Sequence, residues 1–472
     1  MSTNFRGDGS MSKTRIEKDS MGTMEVPSDA YYGSQTQRAV LNFPISSYRM
    51  SRRFIQSIGE IKRASAIVNG KNHWVDAQKT KAIVQASEEV IAGKFDSQFV
   101  VDVFQTGSGT STNMNTNEII ANRASEILGE KVGSKVVHPN DHVNFGQSSN
   151  DVYPTAMHIS ILKDFKDHLV PTLRKFHFAL EKKSKTFDDV VKIGRTHLQD
   201  ATPIRMGQVF SGYAYQIKQS IDRIEGTFHA LSELALGGTA VGTGINCPKG
   251  FPKEVIAELS KRLELNLKES PNHFASQASK DTVVEASCVL KVLAVALMKI
   301  ANDVRWLGSG PRCGIGELIL PETQPGSSIM PGKVNPVIAE SLTMICAQVI
   351  GNDTAVTIGG QSGNFELNVM MPMMLHNVLE SSNLLQKGVE NFQNKCIDGI
   401  EVDREQCAQM IEKSLAMVTS LAPVIGYDKA AEIAKESHKT KKSVRQICLE
   451  RNILPKNDLE KILDAYSMTI NS

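Results

Sequence analysis

The sequence has no set of paired cysteines. Its seven Cys, at 247, 288, 313, 346, 396, 407 and 448, are odd in number, fall in the second half of the chain and form no C-x-x-C pair. This argues against a disulfide framework or a thiolate zinc site and for a reducing compartment, with the thiols as small core residues. An excess of one charge sign is also missing: 53 Lys+Arg against 51 Asp+Glu leave a net +2. No global electrostatic footprint points to nucleic acid or an anionic membrane, and a small charged ligand is compatible. Nor is there a long apolar run. The greasiest stretch, Val283 to Leu307, is broken by Glu285, Lys291, Lys299, Asp303 and Arg305, so it falls short of the roughly 20 apolar residues of a membrane span. The opening MSTNFRGDGSMSKTRIEKDS lacks an apolar core and carries Asp8 and Glu17, unlike a secretory or transit leader. It reads as a short disordered tail on a cytoplasmic protein.

What is present is an ordinary globular composition of 472 residues, 41% hydrophobic and 22% charged, with a mean hydropathy of −0.20. The length suggests about three domains or one long composite fold. Val283 to Leu307 has apolar residues on nearly every face and neither Gly nor Pro in its 25 positions, the pattern of a helix buried inside a bundle. Similar patterns run from Thr155 to Thr186, Gly207 to Leu236, Pro336 to Ile350 and Pro372 to Lys395. Pro171 should kink or break the first, because it removes a backbone donor. Helices of roughly 25 residues reach about 37 Å, so the fold class is read as mainly α with a long central helical bundle. Short strands are allowed for in the first 50 residues, and no βαβ alternation, glycine fingerprint or internal repeat appears.

One connection stands apart. Gly308 to Gly332 holds six Gly and four Pro in 25 residues, and loops this long are usually functional or disordered. Its Ile, Leu and Met argue against free solvation. A boundary falls near Met371 and Pro372, beyond which the chain is more charged; its KESHKTKKSVR run reads as a solvated face.

Four polar segments concentrate hydroxyls and amides where loops meet helices: TGSGTSTNMNTN (106–117), GQSSND (146–151), GRTHLQDAT (194–202) and GSSIMPGKVN (326–335). Singly, each is equally what helix capping requires. Together they suit a small dianion, because neutral donors at helix N-termini favour carboxylates or phosphates and Lys333 supplies a charge. His197, between Arg195 and Asp200, has the profile of a general acid or base. Glu340, just inside the helix that Pro336 opens, could orient a histidine brought from another helix.

These residues resemble the signatures of the fumarase/aspartase superfamily. GSSIMPGKVNP is matched over eleven consecutive residues, and RIEKDSMG, DAYYGSQTQRA, QTGSGTSTNMNTNEIIANRA, HPNDHVN, QSSNDVYPTAMHI, GRTHLQDATP and GNFELNVMMPMM extend the likeness over nearly the whole chain. Within the superfamily the chain resembles the iron-independent class II fumarases. Aspartate ammonia-lyase is the alternative, but aspartases resemble GRTQLQDA where this chain has His197, and they tend to have Ala at Gly332. The fold implied has three domains, placed here at 1–147, 148–371 and 372–472, with the central bundles of four subunits packed into a tetrameric core. It also implies a homotetramer whose active sites draw on three subunits.

The activity implied is reversible hydration of fumarate to L-malate, with no cofactor, no metal, no nucleic acid and no membrane partner. Carried over residue by residue, the catalytic set is Ser327 as carbon base and His197 with Glu340 at the hydroxyl. The substrate-binding set is Ser108, Gly109, Thr110, Ser148, Ser149, Asn150, Thr196, Ser328, Lys333, Val334 and Asn335. His138, Pro139, Asn140 and Asp141 would form a second dicarboxylate site. One departure is Gly146, where most relatives have Ser, removing a hydrogen bond beside the substrate loop. A structural, non-catalytic use of the same fold is the alternative from another class, and the complete catalytic set argues against it.

Overall fold

A computed structural model describes residues 13–470. The expected tail lies partly outside these, at 1–12, and its last part is corrected by the fold: Thr14–Asp19 (β1) pairs antiparallel with Gly22–Pro27 (β2), Thr14 opposite Pro27 and Asp19 opposite Gly22. Polar residues that look tail-like in sequence are here spent on specific partners. The Arg15 guanidinium donates to the carbonyls of Pro27 (2.9 Å), Ala30 (2.6 Å) and Tyr32 (2.7 Å) and to Glu17 Oε1 (2.6 Å). Composition cannot register such long-range pairing.

The protein is mainly α, as expected. After the hairpin come Ser34–Asn42 (α1), Arg52–Lys71 (α2), Ala77–Ile91 (α3), Thr110–Ile127 (α4), Ser149–Asp164 (α5) and Val170–Thr186 (α6). A second hairpin, Val191–Thr196 (β3) and Gln199–Arg205 (β4), precedes Met206–Gly226 (α7). Three further long helices span Asp281–Leu307, Val337–Gln361 and Met371–Phe392. Pro171 does perturb its helix: it stands at the second position of α6, and the five residues before it, Phe165–Leu169, form a π turn joining α5 to α6. A widened turn is one way a helix absorbs a missing donor and a ring at this point.

The chain divides into two compact units. One runs up to His168 and includes Ile224–Leu290 and Ile350–Asn383; the other comprises Leu169–Arg223, Lys291–Val349 and the chain from Leu384 onward. In the first, α2 packs on α3 and α5, and α4 on α3, around fully buried Ile58, Ile61, Ile83 and Ile120. In the second, β3 and β4 rest on the helix Arg404–Lys413 and on short helical turns of the C-terminal region, whose core is Ile411, Leu421, Ile433, Ile447 and Leu459.

The helix Asp281–Leu307 appears where its pattern placed it, and Leu290, Leu293, Leu297, Ile300 and Val304 are fully buried. It is not buried all round within one chain: Val295 is 56% exposed, as is Met344 at 67% on the helix Val337–Gln361. The thiols also divide, with Cys346, Cys396, Cys407 and Cys448 buried as expected but Cys313 exposed on the glycine-rich connection. Among the described residues, no helix is long and apolar enough to cross a membrane.

The start of α1 shows how the first unit is tied together. Its N-cap, Gly33, has no side chain to satisfy the first-turn donors. Glu118, buried on α4, does so instead: Oε2 accepts from Gly33 N (2.8 Å), Thr36 N (3.1 Å) and Thr36 Oγ1 (2.6 Å), and Oε1 from Gln35 N (2.9 Å). Glu118→Ala leaves these donors buried and unpaired, an expected cost of about 3–5 kcal/mol. Hydrogen exchange at the Gln35 and Thr36 amides should accelerate as the thermal midpoint falls; unchanged exchange would remove Glu118 as the cap.

Candidate active site

In the first unit, the segments 106–117 and 146–151 meet at the N-termini of α4 and α5. The Oγ of Ser108 lies 2.7 Å from Thr110 Oγ1, which lies 2.7 Å from Ser149 Oγ. This chain of three hydroxyls joins two helix starts 39 residues apart in sequence. Gly109, the N-cap of α4, has φ +74°, and a Cβ there would sit 2.1 Å from the Tyr153 ring, so only glycine lets the loop turn in this space. Ser148 caps α5 in a capping box with Asp151, and Asn150 Nδ2 donates to Ala240 O at 2.8 Å. Ser108, Gly109, Thr110, Ser148, Ser149 and Asn150 are thus gathered, with first-turn N–H groups of two helices beside them, as a carboxylate requires.

Beneath this surface lies a group that the sequence reading missed. The Lys62 ammonium, on α2, is fully buried and donates to Asn144 Oδ1 (2.9 Å) and Gln147 Oε1 (3.0 Å). Asn144 Oδ1 also accepts from Asn113 (3.2 Å) and Asn117 (3.1 Å) on α4. Asp151, equally buried, accepts from the backbone N–H of Ser148 (3.0 Å), Gly237 (3.0 Å) and Thr239 (2.9 Å). The sequence held one signal: Ile55, Ile58, Lys62, Ser65 and Asn69 follow helical spacing along one buried stripe of α2, so a lysine occupies a core position.

In the second unit, β3 and β4 are joined by a two-residue turn, His197 and Leu198, with Thr196 opposite Gln199. Both turn residues have positive φ, 56° and 60°, where such hairpins usually place Asn-Gly. Side-chain-bearing residues held in this region, including a Leu198 that is 69% exposed, mark strain of the kind found at functional sites. The turn presents His197 and, beside it, Thr196 to solvent. Neither the His197 ring nor the Glu340 carboxylate has a hydrogen-bond or ion-pair partner among the described residues of the single chain, so the expected pair is not made there.

The 326–335 loop is closed on itself: Gly326 N donates to Lys333 O (2.7 Å) and Asn335 Nδ2 to Gly326 O (2.7 Å). Inside it, Ser327 Oγ accepts from the backbone N–H of Ile329 (3.2 Å) and Met330 (3.0 Å). Two donors on one hydroxyl oxygen favour its anionic form. Lys333, Val334, Asn335 and Glu340 line a cavity of about 690 Å³ with Arg305 and Trp306, and Ser328 is exposed on the same loop.

Residues 22–351 match a family model described as lyase, and 417–470 match one described as the fumarase C C-terminus. The class II fumarate hydratase of Ralstonia nicotianae is 54% identical over 92% of this chain and 95% of its own length. The mitochondrial fumarate hydratase of Danio rerio is 50% identical over 96% of this chain and 90% of its own. A crystal structure of class II fumarase from Schistosoma mansoni superposes with a TM-score of 0.94 at 40% identity, covering 97% of this chain and 99% of that one. The chain belongs to the class II fumarate hydratase family.

His138 to Asp141 and Gly146, both singled out in the sequence, have definite places here. His138 opens a π turn, Pro139–Val143, and its Nδ1 accepts from Asn140 N (3.3 Å) and Asp141 N (3.2 Å). His138, Pro139 and Asn140 line a cavity of about 450 Å³ with the cations of Lys18 and Lys135 but also with the carboxylates of Glu17, Asp19 and Glu118; Asp141 is not part of that lining. Gly146, read as a lost hydrogen bond, has φ +73° with Pro248 3.1 Å from where a Cβ would lie, so glycine relaxes a backbone that serine would strain.

Burial pushes the Lys62 ammonium down to about 7 from its ordinary 10.5, with the charge of Asp151 opposing the change. The unfolded chain therefore keeps that proton when the folded one has released it, and stability should rise with pH between about 7 and 10, at up to about 1.4 kcal/mol per unit. Lys62→Met removes this component. The stability difference between wild type and variant, from denaturant titrations, should shift toward wild type across that window; a difference independent of pH would mean that Lys62 stays protonated in the fold.

Proposed function

We infer that this chain is a fumarate hydratase, adding water reversibly across the double bond of fumarate to give L-malate by trans addition through an enediolate. The observation that carries the reading is Ser327 Oγ held by two backbone N–H groups inside a loop closed by Asn335. A serine removes a proton from carbon only if its alkoxide is made accessible, and paired amide donors do this without adding a competing base. The ammonia-lyase alternative is not favoured by His197 or by the relatives at about half identity.

In the dehydration direction, Ser327 takes the proton from the carbon next to one carboxylate. The negative charge moves into that carboxylate as an enediolate, and donors already aimed at its oxygens lower the barrier, commonly the largest catalytic contribution. Lys333 and Asn335 take this role, with Thr196, Ser328 and the backbone at Val334. Ser108, Gly109, Thr110, Ser148, Ser149 and Asn150 hold the substrate at the starts of α4 and α5. His197 protonates the departing hydroxyl, and Glu340, supplied by another subunit, orients the ring.

The reading includes a homotetramer of four 51.7 kDa chains, supported by apolar side chains left exposed on long helices, Val292, Val295, Met344 and Ile358 among them. It also includes three domains at 1–147, 148–371 and 372–472, a cytoplasmic location, and a second dicarboxylate site at His138 to Asp141. Some relatives carry mitochondrial names.

The protein, treated with chelator, is added separately to L-malate and to L-aspartate while fumarate absorbance is followed. Fumarate from malate alone is expected, and fumarate from aspartate would overturn the hydratase reading. Ser327→Ala should lower kcat by about 10²–10⁴-fold, the range for a lost proton-transfer group, with dicarboxylate binding retained by calorimetry. His197→Asn should remove one limb of the pH–rate profile; a profile of wild-type shape would exclude His197 as the acid.

A further inference from the structure

The β3–β4 hairpin that presents His197 is only two strands wide and ends in a strained turn, and isolated hairpins are marginal in water. Something outside it must hold it in place. Lys192 and Arg195 both lie on β3, three positions apart, and strict strand alternation would send their side chains to opposite faces. The register shifts between Ile193 and Arg195. This bulge re-aims the strand beyond it, and Gly194 sits at the bulge, where a Cβ would come within 2.5 Å of the Thr202 carbonyl. As a result both cations converge on one carboxylate, Glu317. Arg195 Nη1 and Nη2 donate to its two oxygens at 3.0 and 2.9 Å, and Lys192 Nζ lies 3.2 Å away.

Glu317 has no exposed surface and little freedom to move. Its carbonyl accepts from Asp403 N at 3.0 Å, and the next residue, Leu318, pairs with Val402. It also stands ten residues before Ser327 in the same glycine-rich connection.

A buried ion pair is a poor device for stability alone, since packed apolar side chains of similar volume often do as well or better. What a forked pair does well is fix orientation, because guanidinium and carboxylate planes lock together. Two cations on one carboxylate also leave one positive charge beneath Thr196 and His197, the sign that draws a dicarboxylate.

We propose that Glu317 is a positioning residue, holding the His197 turn through Arg195 and Lys192 and tying it to the segment that leads into the Ser327 loop. This rests on the hydratase reading above. Loss of the bridge leaves the donors at α4 and α5 in place and misplaces the acid, so kcat suffers more than KM.

The test is a double-mutant cycle of Glu317→Gln and Arg195→Gln on malate dehydration, with Arg195→Lys as a milder variant that keeps the charge and loses the fork. Each Gln variant should lose about 10- to 100-fold in kcat, the penalty for a small misplacement of a reacting group, with KM within about 3-fold and the double variant no worse than the poorer single one. Arg195→Lys should fall between wild type and Arg195→Gln, and amide exchange at Thr196 and Gln199 should rise selectively in all of them. Wild-type kcat in folded variants, or losses that simply add in the double variant, would overturn the proposal. So would exchange that rises uniformly across the second unit. A wild-type chain inert toward malate would instead sink the hydratase reading, and this inference with it.

Discussion

A lysine with no access to water organises the first unit. Burying an ammonium is costly, and Lys62 offsets part of that cost by drawing Asn144 and Gln147 onto itself while Asp151 lies near enough to oppose the depression of its pKa. Asn144 in turn collects Asn113 and Asn117 from α4. The helix starts that carry Ser108 to Thr110 and Ser148 to Asn150 are therefore mounted on one polar network, in which moving any member would leave another unsatisfied. Buried polar networks of this kind specify a single geometry more strictly than apolar packing can.

The second unit solves the same problem with formal charge. Glu317 is to the His197 hairpin what Lys62 is to the helix starts: a buried group whose compensation dictates where its partners sit. The groups carried above are hydroxyls in the first case and the Thr196 hydroxyl with the His197 imidazole in the second, and the rigidity lies one layer below. Substrate-sized dianions are recognised well by such surfaces, because oriented N–H and O–H dipoles lose little entropy on binding when the backbone that carries them is already fixed.

The exposed apolar residues follow the same logic at a larger scale. The long helix Asp281–Leu307 turns Leu290, Leu293, Leu297 and Ile300 inward and leaves Val292 and Val295 outward, an apolar face of the kind that suits contact with further protein. The His197 and Glu340 side chains, without partners among the described residues, accord with the proposed assembly.

Much of this was legible without coordinates. Apolar patterning marked where each long helix lies, because helix periodicity and burial are local properties of sequence, and Val283 to Leu307 and Pro372 to Lys395 came within a few residues of the helices Asp281–Leu307 and Met371–Phe392. Other ends were misjudged: the helix opened by Pro336 runs on to Gln361 past Ile350, the one expected from Gly207 to Leu236 stops at Gly226, and the one expected from Thr155 begins at Ser149. Runs of Ser, Thr, Asn and Gly marked the helix starts proposed to bind substrate, because capping and anion binding draw on the same donors. Short strands were allowed for in the first 50 residues, but the strand Thr14–Asp19 was read as tail, since the carbonyls that satisfy Arg15 lie 12 to 17 positions further on. Lys62, Glu118 and Glu317 were not singled out at all: a buried charge is written in sequence like any surface charge, and only its distant partners distinguish it. By itself the sequence determined the helices, the loops and the chemical types available at the site, each set by neighbours a few positions away. The tertiary structure alone decided which of those groups share a carboxylate or an ammonium, because that depends on contacts between residues up to 122 positions apart.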